Sequence, residues 1–595
     1  MRTAVGVGVW ICALLFTLTT YTFTDDHFDR ISRARQIARY GELPFRDFFD
    51  PGYFLTEFVS AAVQRVAGDN LVGEMILTSV FIATGALVVM LLLRRVAPSA
   101  VSVAVVTALV IVASPRPYDF DKFFFYPLGL LLCWRYIDRR TVGSLVLLAG
   151  TAVIGGMFRY DNGIFIAIGA LVAIAAVHLG DGATMVRRAG VFAAAGIVWA
   201  IPYLVFLQMT AGISDAAGQM IDYARREGAR TRIAEVPTDV FSDLRIEPLP
   251  PPPPDRVQVR WAPAADAERP QLEARYRLHD GITRGDPADR TWLYRIADAS
   301  RVNLRALIDD PRVADTHLVD RATAQLTEQE SLTRRVHRAL PLLGRWNVSW
   351  SASGAAGLLY YVFVGVPLIA AAIALTRRVP IAERARVLTV AAVALPVAVF
   401  ILRDPIVARL GGAAGPVAVA GAWLWSQLRT SWAAKAAAGA IIVTVIVATG
   451  FDVAPSRLTR VIRQASMSPP STALVLEREE TALTDYLRRC TQPDDRVLAA
   501  WFVPQLYFFS GRAFAGGMVV TFGGHWSEPA RQHRIVAKLK SEQVPVVIFH
   551  DDGSEFRAAY PIVDAYLRAN YAAAGPMGPY HVLTRNGRAP GCQVA

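Results

Sequence analysis

The chain has 595 residues, 53% of them hydrophobic, and the apolar residues come in long blocks between short polar connectors, which excludes a single soluble domain. The 62 Lys and Arg against 50 Asp and Glu give a formal charge of +12. Arg far outnumbers Lys and no basic patch interleaves with aromatics, so the excess reflects a GC-rich bacterial coding bias and excludes a nucleic-acid partner.

The first block, Ala4–Thr22, has no Ala-x-Ala-like cleavage site and runs directly into Asp25 and Asp26, so it is expected to stay as an anchor. The roughly 20-residue length rule then gives about 11 spans. They follow as Leu71–Leu93, Pro98–Ala113, Phe123–Ile137, Val142–Phe158, Ile164–Leu179, Ala189–Met209, Gly357–Leu375, Val387–Leu402, Ile406–Leu428 and Ala436–Phe451. Connectors carrying Arg94-Arg95, Arg135 with Arg139 and Arg140, Arg187-Arg188 and Arg377-Arg378 alternate along the chain and belong in the cytoplasm. The N-terminus is then cytoplasmic. The acidic motifs and both large polar segments, 211–356 and 452–595, are then expected on the opposite, extracytoplasmic face.

In the loop 23–70, Phe28, Ile31, Ala34, Ile37 and Ala38 recur at helical spacing opposite Arg30, Arg33 and Arg39. Gly41 stops this helix, Pro44, Pro51 and Gly52 mark a turn, and Tyr53–Val66 reads as a second short helix. Both suit the membrane interface, where the bland reading is a surface anchor. In 211–356 a proline run, Leu249–Pro254, precedes strands at Arg256–Trp261, Thr291–Ile296 and Thr316–Val319, with helices at Ala264–Leu278 and Val302–Asp309. This order suggests a ferredoxin-like module over about 255–325. The segment 452–595 alternates strands (Arg496–Ala500, Pro545–His550, His581–Thr584) with helical stretches, as a small α/β domain would. In it, Gly523-Gly524-His525 and His550-Asp551-Asp552 read as turns rather than sites. Cys12 and Cys133 lie in apolar blocks, whereas Cys490 and Cys592 lie in this domain and can pair only in an oxidising compartment. No Cys/His pattern has zinc spacing.

A carboxylate pair at the membrane boundary, with cations on neighbouring loops, suits chemistry on a lipid-linked phosphate. Asp25 or Asp26 would take a proton as general base. Arg116, Lys122, Arg159 and Arg403, all at outer span ends, would stabilise the phosphate, unless they simply snorkel. Asp119 and Asp121 form a D-x-D that could position an acceptor or hold a divalent cation such as Mg or Mn, although no metal site is firmly indicated. Asp161 reads as a partner of Arg159.

Asp25-Asp26-x-Phe28, the helix ending at Gly41-x-x-Pro44, and the segment Phe48-Phe49-Asp50-Pro51-Gly52-Tyr53 resemble the first outer loop of GT-C glycosyltransferases, in the style of the protein O-mannosyltransferase and lipid A aminoarabinose transferase branch. The resemblance covers residues 1–210, the seven-span catalytic module of that class, with 357–451 as four further spans. It implies an inverting sugar transfer from a polyprenyl-phosphate donor to a cell-envelope glycan, lipid or protein, at the outer face of a bacterial plasma membrane. By that match the essential acid is Asp25, Asp26 is the second of the pair, and Asp119 or Asp121 stands for the acid of the second outer loop. The stretch Tyr507-Phe508-Phe509-Ser510-Gly511-Arg512 is similar to the tail of several bacterial members, whereas the insert after the seventh span departs from the pattern. The competing functions are a transporter or flippase for lipid-linked glycans, against which the lack of an internal repeat counts, and a non-catalytic envelope scaffold.

Overall fold

A computed structural model describes residues 2–113, 119–230, 245–248, 256–283, 287–295, 306–307, 309–319, 346–349, 352–376, 379–401, 407–427, 455–472 and 475–586. It is mostly helical, with three small sheets among the described residues. By contact the chain divides into two units, one holding 1–240, 352–443 and 452–595, the other 241–351 with 444–451.

The first unit opens with α1 (Arg2–Thr19), α2 (Asp25–Tyr40), α3 (Phe54–Ala67), α4 (Val72–Leu93) and α5 (Ser99–Ala113). It continues with α6 (Phe120–Arg139), α7 (Val142–Phe158), α8 (Tyr160–Val177), α9 (Gly182–Thr210) and α10 (Ile213–Arg230). After the insert come α11 (Ala352–Thr376), α12 (Ile381–Ile401) and α13 (Val407–Gln427). Helices therefore overlie each expected span up to Ile406–Leu428, while Ala436–Phe451 lies outside the described residues. Among the described residues four stretches, Val72–Leu93, Tyr160–Val177, Gly182–Thr210 and Gly357–Thr376, are long and apolar enough to cross a membrane. Ala4–Thr19, Ser99–Ile111 and Val142–Phe158 are apolar but shorter.

Small residues let these helices approach closely, as lipid-embedded packing requires. A Cβ on Gly129 of α6 would sit 2.8 Å from Ile166 of α8, and one on Gly85 of α4 would run into the Phe123 carbonyl of α6. The two basic ends expected in the cytoplasm meet at one acid. Asp138 pairs with Arg95 at 3.0 Å and with Arg386, and both guanidinium groups lie over the Trp134 ring.

The C-terminal part of this unit holds a five-stranded sheet. Strands Arg496–Ala500, Ala513–Phe514 and Val546–His550 run parallel, and the hairpin Tyr571–Met577/Tyr580–Arg585 extends the last of them antiparallel. Val546-Val547-Ile548-Phe549 is buried on both faces, which explains its unbroken apolar run. Cys490 is disulfide-bonded, and Cys592 lies outside the described residues.

The helix α2 departs from the expectation of an interfacial surface helix. Thr24 starts it in extended geometry, Asp25 and Asp26 occupy its positive first turn, and Gly41 ends it in left-handed geometry at φ 67°. Residues 27–37 are buried or nearly so all round. Ala34 and Ile37 join the C-terminal core with Leu506 and Val519, while Phe28 packs on Phe508 and Phe509. Ser32 donates to the Pro504 carbonyl at 2.9 Å, and Arg35 to that of Phe508 at 3.2 Å. The C-terminal domain thus clasps the first loop, burying its arginines instead of leaving them at a lipid surface.

The second unit, taken alone, is built on a four-stranded antiparallel sheet ordered His279–Thr283, Thr291–Arg295, Arg256–Trp261, Val313–Val319, the strand order of a ferredoxin-like sheet. Its helix is shorter than expected, Arg269–Arg275, because Pro263–Ala265 forms a separate 3-10 turn and Tyr276 ends the run. The expected second helix falls largely outside the described residues. A two-stranded stem, Arg245–Pro248 on Trp346–Ser349, closes the insert.

Candidate active site

A cavity of about 310 Å³ lies where α2, α6, α8, α10, α12 and the C-terminal domain converge. Its wall from α2 presents Asp26, Asp29, Arg30 and Arg33, one helical face read at spacings of three and four. Asp26 lines the cavity and Asp25 does not. The Asp25 side chain reaches solvent at the rim, facing the C-terminal domain. There the surrounding protein and the carboxylates of Glu480, Asp26 and Glu477 push its pKa up to about 6. The resemblance assigns the essential acid to Asp25, but the helix phase turns the second acid of the pair inward.

The cations of the wall are fixed by acids. Lys122 Nζ stands 2.8 Å from Asp119, and Arg159 lies 3.7 Å from Asp119 and 2.9 Å from Asp161. Arg30 and Arg159 flank Tyr53, with guanidinium carbons 4.9 Å and 5.5 Å from its ring centre. Asp50 holds Tyr53 in place by accepting from the Gly52 and Tyr53 backbone N–H groups at 2.5 Å and 2.9 Å, across the Pro51-Gly52 turn. Arg33, 1% exposed, is shared by Asp29 at 2.8 Å and Glu57 at 3.5 Å. Burial works against the charge on Arg33, yet Asp29 and Glu57 hold its pKa above the usual value. Burial also pushes Asp29 up, with Arg33 and Arg30 pulling it partly back, and it raises Glu57 well above the carboxylate range.

The D-x-D pair does not act as a unit. Asp119 lines the cavity, whereas Asp121 is fully buried, 3.4 Å from Arg30 and accepting from Asn162 at 2.8 Å. Residues two apart at a helix start point in different directions, so these oxygens do not converge on one cation. Among the described residues no group of three His, Cys, Asp or Glu could hold a metal ion. Arg116 and Arg403 lie outside the described residues.

Two parts of the site escape a reading along the chain. Arg30 and Arg33 read there as the solvated face of an amphipathic helix. The roof comes from Tyr223 and Glu227 of α10 and from Phe502, Val520, Phe522 and His525 of the C-terminal domain. His525, expected in a plain turn, meets Glu227 at 3.0 Å and stacks on Tyr223 with ring centres 4.4 Å apart. Gly523 and Gly524, at φ 75° and 66°, make the turn that delivers it. The preceding double glycine was the one available signal.

Beside the polar cavity runs an apolar groove of about 410 Å³ lined by small residues of α7, α8 and α9, among them Ala152, Gly156, Gly163 and Ala193. Gly52 and Tyr160 line the groove, and their neighbours in sequence, Tyr53 and Arg159, line the cavity; Met220 of the groove stands one helical turn before Tyr223 of the cavity. The arrangement offers a fixed set of cations, an inward carboxylate and a nearby apolar groove. Compared with known proteins, the chain matches no family model and no curated relative.

Proposed function

We propose that this chain is a multi-pass membrane glycosyltransferase of about 11 spans, moving a sugar from a polyprenyl-phosphate donor to a cell-envelope acceptor outside the plasma membrane. The observation that carries the reading is one cavity holding Asp26 with Lys122 and Arg159, near a separate apolar groove whose Gly52 and Tyr160 are next in sequence to Tyr53 and Arg159 of the cavity. An isoprenoid chain fits the groove and its phosphate fits the cations; a soluble nucleotide-sugar has no use for the groove. The disulfide at Cys490 supports an oxidising compartment for the C-terminal domain.

In this reading Asp26 takes the proton from an acceptor hydroxyl as its oxygen bonds to the anomeric carbon from the face opposite the phosphate. The bond from that carbon to the phosphate oxygen breaks, and polyprenyl phosphate leaves with the electron pair. Lys122 and Arg159 stabilise the charge that gathers on it. Their acids hold them in place beforehand, so little reorganisation is needed when the bond breaks. The transition state is oxocarbenium-like, and the carboxylates of the α2 wall favour it electrostatically. Asp119 fixes the two cations instead of touching the acceptor.

Native mass spectrometry on the full chain in nanodiscs tests the donor class by comparing undecaprenyl phosphate with undecaprenol. The phosphate should stay bound at about tenfold lower concentration or better, with the advantage reduced in Lys122→Met and Arg159→Met. Equal binding of alcohol and phosphate would remove the phosphate from the reading.

A further inference from the structure

The cavity is polarised. Its cations (Arg30, Arg33, Lys122, Arg159) come from the first loop and the span ends, whereas the C-terminal domain and α10 contribute aromatic rings, one histidine and one carboxylate. Phe522 lines the cavity and meets Trp501 edge-on at 5.1 Å, and Trp501 stacks flat on His550 at 4.9 Å with 10° between the planes. Phe502, also on the cavity wall, lies 6.3 Å from Phe522. The half-buried rings of Trp501, Phe502 and Phe522 thus run from the cavity towards the rim. Tyr580 closes the far side of this track, 5.3 Å from His550, and donates to Glu480 at 3.3 Å. Glu480 in turn acts on Asp25 at the rim.

Rings with partly open faces, flanked by carboxylates, suit one ligand chemistry. A sugar ring lays its C–H face on an aromatic plane while its hydroxyls donate to carboxylate oxygens. A second anion is disfavoured, since Asp25, Glu477 and Glu480 gather at the rim. The His525–Glu227 pair supplies a further polar edge, and the Nδ1 atom of His525 is buried without a hydrogen-bond partner among the described residues.

We infer that the track Trp501–Phe522–Phe502, ending at Glu227 and His525, is the acceptor subsite and takes a neutral, hydroxyl-rich glycan. This deepens the transferase reading and rests on it for the word acceptor; the glycan site itself does not. A glycan lying on this track would bring its terminal hydroxyl to the cavity that Asp26 lines.

Saturation-transfer NMR on the full chain in nanodiscs tests it, with α-mannotetraose, α-1,5-arabinotetraose, β-galactotetraose and a Ser/Thr-rich dodecapeptide as probes. At least one neutral tetrasaccharide should receive saturation, and Trp501→Leu and Phe522→Leu should weaken its binding by about tenfold each. Leucine stays apolar and removes the ring face, and the melting temperature shows that each variant still folds. Lys122→Met should leave glycan binding untouched while reducing the preference for undecaprenyl phosphate. Glycan binding without any phosphate preference would retain this inference and defeat the donor reading. Binding of the peptide alone, of no probe, or of a tetrasaccharide with equal strength in the leucine variants would overturn the inference.

Discussion

The two acids that open α2 should separate sharply on mutation. In Asp26→Asn the cavity keeps its shape and cations but loses the inward carboxylate. A positioned general base contributes about 10² to 10⁴ in rate, or about 2.7 to 5.4 kcal/mol at 1.36 kcal/mol per decade. Asp25→Asn removes only a neighbouring charge at the solvent-exposed rim. Two unit charges about 4 Å apart interact by roughly 1 kcal/mol in water. That is below the 1.36 kcal/mol of one pKa unit, so the loss should stay under about tenfold. The assay is transfer of radiolabelled sugar from a polyprenyl-phosphate donor, at saturating donor and equal protein, with melting temperatures showing that both variants fold. Undecaprenyl phosphate should still bind to Asp26→Asn. Equal losses in the two variants, or the larger loss in Asp25→Asn, would refute the assignment and return the base to the first acid.

Three further outcomes follow from the packing. Arg33→Met strands Asp29 and Glu57 in a buried site, and thermal unfolding in detergent should show a loss of about 3 to 5 kcal/mol; a near-neutral result would mean that these acids are protonated at neutral pH. The folded-state pKa of Asp25 lies above its ordinary 3.8, at about 6, so between those values the folded chain binds more protons than the unfolded one and stability from this group falls as pH rises. Asp25→Asn should therefore melt higher than the parent above pH 6 and show no advantage near pH 4, read by scanning fluorimetry across that range. Gly85→Ala should lower stability by about 1 to 3 kcal/mol, since the new methyl meets backbone of α6 that cannot turn aside; an unchanged melting temperature would show that α4 and α6 can part.

Much of the fold is legible in the chain because many of its helices are unbroken apolar blocks, and apolar length is a local property. Gly41 ends α2 where it was expected to, and Val546–Phe549 is the buried strand its unbroken run suggests. The site is less legible for a physical reason. Helix phase, not adjacency, decides which of Asp25 and Asp26 faces inward, and it parts Asp119 from Asp121. Arg30 and Arg33 look like surface residues until their partners, Asp121 and Glu57, arrive from other helices. His525 has no sequence neighbour that hints at Glu227, 298 positions away.

That long reach bears on how the protein is made. Ser32 is held by Pro504, 472 residues later, and Phe45 by Arg534, 489 residues later. A ribosome-bound chain with only its early helices made still lacks Phe502, Val520, Phe522 and His525 of the roof and the C-terminal partners of α2. Translation must run almost to its end before the pocket can close, so truncated products would carry the whole basic wall without the lid that gives it shape.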